Sequence, residues 1–255
     1  MDREVLPDDT PRGGSIMEKP VLFEVDNGVA VITLNRPERR NSFNQALLTE
    51  LYNCIDEVAS REDIRAAIIT GNGKSFSSGI DLAVILTDNL FDPRGDGRDL
   101  PSVIGDCHKP LIGAINGPAI TGGFEIALNC DFLIASENAM FADTHAKVGI
   151  HPGWGMTQLL QKAVGQRMAK QMSLTCQFID ARTALRAGLV NEVVPADQLM
   201  PRARELARFI CETNPVLQAK IKHLIEYQNA HSLEESYAYE RAEFRNFVMT
   251  HLQKK

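Results

Sequence analysis

The sequence predicts an α/β fold with parallel strand pairing through its first two thirds and a helical last third. Three observations predict it. Short apolar runs alternate with helical stretches as far as about residue 155, the pattern of strands joined by crossover helices. Two of those runs, Ala66–Thr70 and Pro110–Ile115, are each followed by a glycine-containing turn that opens onto a helix start. From Thr157 onward the periodicity is mostly helical, over 157–164, 166–174, 181–187, 196–212, 215–229 and about 232–250.

Composition narrows the function classes. With 255 residues and 44% hydrophobic content the chain can bury a sizeable core. The net charge is −6 and no run of Lys or Arg is long, so nothing electrostatic favours nucleic acid or an anionic membrane. The five cysteines, at 54, 107, 130, 176 and 211, lack CxxC spacing. They read as reduced thiols in a cytoplasmic protein. No apolar run approaches the roughly 18 residues of a membrane span, and no signal-peptide pattern opens the chain.

Each element has a local reason. Residues 1–19 are polar, carry Pro7, Pro11, Gly13 and Gly14, and read as an N-terminal arm. The apolar runs Val21–Val25 and Val29–Leu34 flank Asp26-Asn27-Gly28, a strong hairpin signal. A polar loop, Asn35 to Ser42, precedes a helix from about Gln45 to Ala59 with the stripe Leu47, Leu48, Leu51, Ile55 and Val58. Asn41 or Ser42 is the expected cap. Segment 83–105 lacks periodicity at its centre. Phe132–Ser136 reads as a strand, and Val190–Val194 as a small one. A core over 20–195 and a helical region over 196–255 follow.

The chemistry concentrates in Ile115 to Asp131, INGPAITGGFEIALNCD. Asn116-Gly117-Pro118 ends a strand and Gly122-Gly123 opens a helix. A glycine pair there admits close backbone approach and leaves free N–H groups at the positive end of the helix dipole. Such groups stabilise a developing oxyanion. The bland reading is a tight turn in which Glu125 is favoured only by the dipole.

A second stretch, Gly71 to Leu82, repeats the arrangement. Lys74 to Leu82 has the form Lys-x-Phe-x-x-Gly-x-Asp-Leu, Asn116 to Glu125 the form Asn-Gly-x-x-x-x-Gly-Gly-x-Glu, and Pro152-Gly153-Trp154-Gly155 the form Pro-Gly-x-Gly. Three motifs in this order resemble the crotonase, or enoyl-CoA hydratase/isomerase, superfamily, over roughly Val21 to Phe247. Many members carry a third glycine where this chain has Thr121. The resemblance implies a stack of repeated ββα units with a helical C-terminal region, assembled as a trimer or a dimer of trimers. It implies an acyl-CoA thioester as substrate and no cofactor or metal beyond that CoA. It also implies that the Ile80 and Gly122 N–H groups form the oxyanion hole, and that segment 83–105 covers the acyl tail. Arg39, Arg40, Ser42, Ser78, Gly79, Asp81, Leu82 and Gly123 are the residues it brings to the substrate. For Arg39 and Arg40 a solvated basic turn is an equal reading.

Hydratases of the family use two glutamates. One falls at Glu125. The other, counted back from Gly149, falls at His145. Imidazole exchanges a proton near neutral pH, so His145 can serve as the second acid or base, with Asp143 another candidate. The alternative is a histidine bonded within its turn. His151 reads as structural. The C-terminal stretch also departs from the family, many of whose members carry a further helix with an aromatic and a lysine that close over CoA from a neighbour. Here Lys254 and Lys255 are the remaining candidates. The leading expectation is an enoyl-CoA hydratase. The alternatives are an isomerase, a hydratase or racemase relying on Glu125 alone, and an acyl-CoA-binding protein without turnover.

Overall fold

The structure, a computed structural model, describes residues 19–252. The expected arm therefore lies outside the described residues except for Lys19, as do Lys254 and Lys255. In chain order the elements are β1 (Val21–Asp26), β2 (Val29–Leu34), α1 (Gln45–Ser60), β3 (Ala66–Gly71), α2 (Leu100–Gly105), β4 (Leu111–Ile115), β5 (Ala119–Ile120), α3 (Gly122–Asn129) and β6 (Phe132–Ser136). There follow β7 (Met140–Ala142), α4 (His145–Val148), α5 (Met156–Thr175), β8 (Ile179–Asp180), α6 (Ala181–Arg186), β9 (Glu192–Val194), α7 (Leu199–Cys211), α8 (Pro215–Tyr227) and α9 (Leu233–Phe247).

The large sheet has the order β1-β2-β3-β4-β6-β9. Only β1 and β2 are antiparallel, joined by the expected hairpin with Asp26 opposite Val29. Asn27 and Gly28 both take positive φ, 49° and 81°, as a two-residue turn matched to strand twist requires. All later pairings in this sheet are parallel. A parallel sheet must be covered on both faces, and successive side chains of a strand point to opposite faces. Accordingly Ala67 and Ile69 of β3 join the cluster containing Leu47, Leu51 and Ile55 of α1, whereas Ala66 and Ile68 join Leu199, Ala203 and Ala207 of α7.

A second, three-stranded sheet has the order β5-β7-β8. Its strands are only two or three residues long, too short to leave a periodic signal in the sequence. Together the sheets explain the repeat. In the unit β4–β5–α3, and again in β6–β7–α4, the first strand enters the large sheet and the second the small one. The loops after β5 and β7 are thereby brought side by side.

One expectation needs correction. The cap of α1 is Asn44, whose side chain accepts from Leu47 N at 2.9 Å. Asn41 is instead fully buried and its amide donates to Asn72 O, Ser75 O and Phe76 O, while Ser42 O accepts from Arg36. The segment within 83–105 without periodicity ends in a helix, α2, capped by Asp99. The two helices expected over 157–174 form α5, broken at Gly165 with φ 76° and ψ 154°.

The C-terminal pair α8 and α9 contributes no buried residue. Between them runs an apolar groove of about 920 Å³, lined among others by Val216, Ile221, Ile225, Tyr237 and Phe244.

Candidate active site

The two glycine-led segments interlock through their backbones. Phe76 N and Ser77 N donate to Pro118 O, and Ile120 N donates to Ser77 O at 2.9 Å. A Cβ on Gly123 would lie 2.3 Å from Ser77 O, so only glycine lets α3 press this close. Gly79 has φ 85°, and a Cβ there would lie 2.9 Å from Gly122 N. Phe43 binds both sides of Ile80, donating to Gly79 O at 2.8 Å and accepting from Asp81 N at 2.9 Å. Among the described residues, neither the Ile80 nor the Gly122 N–H donates to any acceptor. Two backbone donors are thus held beside each other with their hydrogen bonds unused.

One helical turn into α3 stands Glu125, 2% exposed. Its Oε1 accepts from the N–H groups of Trp154, at 2.8 Å, and Met156, at 3.2 Å, at the N-terminus of α5. That leaves Oε2 facing His145 Nε2 at 3.6 Å, beyond a direct hydrogen bond but close enough for an ion pair. His145 opens α4. Its Nδ1 is 2.6 Å from Asp143 Oδ1, which also accepts from the His145 backbone N–H at 3.2 Å. All three side chains are buried.

Burial alone would push the His145 imidazole down. Its hydrogen bond to Asp143, the Glu125 carboxylate on its other side and the charges of both outweigh burial and raise it to about 9. Burial likewise pushes the Asp143 carboxyl up, but hydrogen bonds from His145 and Ser173 hold it below its ordinary value. His145 is therefore an imidazolium at neutral pH, flanked by carboxylates on both ring nitrogens. The proton exchange expected near an ordinary histidine value moves upward.

The remaining residues divide. Asp81 pairs with Arg36 at 3.4 Å, Ser42 is buried beneath the loop, and Gly123 packs on Ser77; these belong to the scaffold. Arg39, Arg40 and Leu82 are exposed and Ser78 is half-buried. Arg40 adjoins the Ile80 loop because its carbonyl accepts from Ser78 N at 3.0 Å. His151 is exposed, with Nδ1 2.9 Å from Pro152 O. No group of three His, Cys, Asp or Glu side chains converges as a metal site among the described residues.

Sequence reasoning missed the ring of Trp154. It is 1% exposed, packs against Phe43 at 6.1 Å and Phe91 at 5.9 Å, and its Cζ3 would lie 3.3 Å from a Cβ on Gly122. As the chain's one tryptophan, set inside the Pro-Gly-x-Gly motif, it was the available signal.

Comparison with known proteins shows the family. A family model described as enoyl-CoA hydratase/isomerase matches residues 24–255. The chain is 41% identical to a probable peroxisomal enoyl-CoA hydratase 1 of Arabidopsis thaliana, over 78% of this chain and 75% of that one. It is 38% identical to a short-chain-enoyl-CoA hydratase of Clostridium acetobutylicum, over 92% of this chain and 91% of that one. A crystal structure of an enoyl-CoA hydratase from Mycobacterium avium superposes with a TM-score of 0.73 at 40% identity, covering 89% of this chain and 97% of that one.

Proposed function

The chain belongs to the enoyl-CoA hydratase/isomerase family, and from that premise we propose that it adds water to a 2-enoyl-CoA thioester. The observation that carries this reading is the buried array Asp143–His145–Glu125 set one helical turn from the unused Gly122 N–H. In this reading the Ile80 and Gly122 N–H groups receive the thioester oxygen as it gains enolate charge, each contributing roughly 3–4 kcal/mol to the transition state. Glu125 takes a proton from the attacking water through Oε2, its other oxygen being fixed by two backbone donors. The His145 imidazolium delivers a proton to the α carbon. Asp143 fixes the ring and balances its charge.

Trp154, Phe43 and Phe91 form an aromatic wall beside Gly122. That wall, with the short-chain designation of the Clostridium relative, supports a short acyl group. The exposure of Arg39 and Arg40, and the bond from Ser78 N to Arg40 O beside the Ile80 loop, support a role for this pair in holding the CoA phosphates. No metal or further cofactor enters this chemistry, so chelation leaves the rate unchanged. The exposed apolar faces of α8 and α9 support assembly into a trimer or a dimer of trimers, which light scattering across a dilution series tests. The free cysteines support a reducing compartment such as the cytoplasm.

The deciding experiment incubates the protein with a panel of 2-enoyl-CoAs in heavy water. Mass spectrometry follows hydration and α-deuteration together. Hydration with one deuteron at the α carbon is expected. Double-bond migration without hydration would replace this reading with an isomerase, and acyl-CoA binding with neither event would replace it with a binding protein.

A further inference from the structure

Thr121 immediately precedes the Gly122 donor, and its backbone is strained. It has φ 54° and ψ −116°, a region that glycine enters freely and that a β-branched residue enters only at a cost. A residue held there is over-determined by its surroundings, and three bonds do the holding. Thr121 N donates to Ala142 O at 2.9 Å, at the end of β7. Its carbonyl accepts from Glu125 N at 2.9 Å. Its hydroxyl lies 2.5 Å from the Thr144 hydroxyl. Thr121 is 7% exposed, and its side chain makes no cap for α3 although it occupies the capping position. The hydroxyl is committed elsewhere.

Thr144 stands between Asp143 and His145. The Thr121–Thr144 bond therefore joins the turn carrying the oxyanion donor to the segment carrying the imidazolium. Resting on the hydration reading above, we propose that Thr121 is a positioning residue: its hydroxyl, through Thr144, holds Asp143 and His145 against the helix that bears Gly122 and Glu125. A glycine at this position would relax the backbone and lose that tie. The groups of opposite charge facing His145 are Asp143 from its own segment and Glu125 from α3. Their distances to the ring are what the tie maintains.

The test uses Thr121→Gly, Thr144→Val, the double variant and Thr121→Ser in the full-length protein. Three properties are read: steady-state hydration of a short 2-enoyl-CoA, the titration of the His145 ring by NMR, and the melting temperature. Thr121→Gly and Thr144→Val are each expected to lower kcat by about 10- to 100-fold, the scale of a small misplacement of a reacting group. KM should stay within about twofold, since neither hydroxyl is assigned to substrate binding. The double variant should be no worse than the poorer single, because both remove one bond. Thr121→Ser should retain most of the rate. In Thr121→Gly and Thr144→Val the ring should titrate below the wild-type protein, while the melting temperature of Thr121→Gly holds or rises as strain is relieved. Wild-type kcat in both single variants would overturn the proposal. So would a fall in rate with an unshifted His145 titration, because the hydroxyl would then act elsewhere. If the wild-type protein hydrates no enoyl-CoA the functional reading fails, and the titration still decides whether the hydroxyl pair places His145.

Discussion

Asp143 and His145 are two residues apart in the chain and share a 2.6 Å hydrogen bond in the buried site. The turn between them lets one carboxylate hold both the ring and the backbone N–H of the same histidine. This bond, with Glu125 on the opposite nitrogen, raises the imidazole to about 9. The alkaline limb of the rate profile should therefore fall near pH 9. Asp143→Asn keeps an acceptor for Nδ1 but removes the charge. It should move that limb downward by a unit or more and lower kcat about tenfold at pH 8. A pH–rate series on the two proteins checks this.

Glu125→Gln retains an oxygen for the Trp154 and Met156 N–H groups, so the backbone around it should not change. It removes the base and turns an amide NH₂ toward the imidazolium. Turnover should fall by about 10²–10⁴-fold with acyl-CoA binding nearly intact. Calorimetric titration with a saturated acyl-CoA, beside steady-state kinetics, separates the two effects.

Folding stability should carry the same ionisations. His145 titrates near 6.5 unfolded and about 9 folded. Its contribution is therefore fully present below about pH 6.5 and is lost as pH rises through about 9. At about 1.4 kcal/mol per unit this amounts to no more than about 3.5 kcal/mol. Asp143 is shifted the other way, so its contribution is present above its ordinary value of 3.8 and lost as pH falls through its lower folded value. Urea denaturation between pH 6 and 10 should show the alkaline decline in the wild-type protein and a flatter curve in His145→Gln.

Gly79→Ala tests the oxyanion hole. At φ 85° a side chain is strained, and its Cβ would lie 2.9 Å from the Gly122 nitrogen. The two donor segments would have to part. A loss of about 10²–10³-fold in kcat is expected, the cost of one lost donor. Replacing Gly122 itself is a poorer probe of catalysis, because a Cβ there meets Phe43 at 3.2 Å and Trp154 at 3.3 Å and disturbs packing as well.

Trp154→Leu should open the wall beside Gly122. Stability should fall by less than the roughly 3–5 kcal/mol of a buried Trp→Ala change. The ratio of kcat/KM for an eight-carbon enoyl-CoA over a four-carbon one should rise. Competition between the two substrates in one reaction measures that ratio directly.

Sequence patterning specified the hairpin, the parallel order of apolar strands, the glycine-led start of α3 and the place of Glu125, because each rests on local backbone demands. Asn44 escaped notice as the cap of α1 because Asn41 and Ser42 look equally suitable until Asn41 is seen spanning three carbonyls of a distant loop. The strands β5, β7 and β8 are too short for periodicity to register. His145 was marked only by its spacing from Gly149. Its placement between two carboxylates, and hence its protonation, depends on the segments after the paired strands β5 and β7 lying side by side, which brings together residues twenty apart in a way that no local pattern encodes.

The donors that fix Glu125 are the main-chain N–H groups of Trp154 and Met156. Any residue other than proline supplies such a group, so the glutamate's orientation does not depend on which side chains occupy those two positions. Position 154 can thus drift from tryptophan to something smaller, and the acyl groups accepted can change, while the proton-transfer apparatus is inherited unaltered. Divergence toward new thioesters would then begin at a site one residue can reshape without an intermediate that has lost its chemistry.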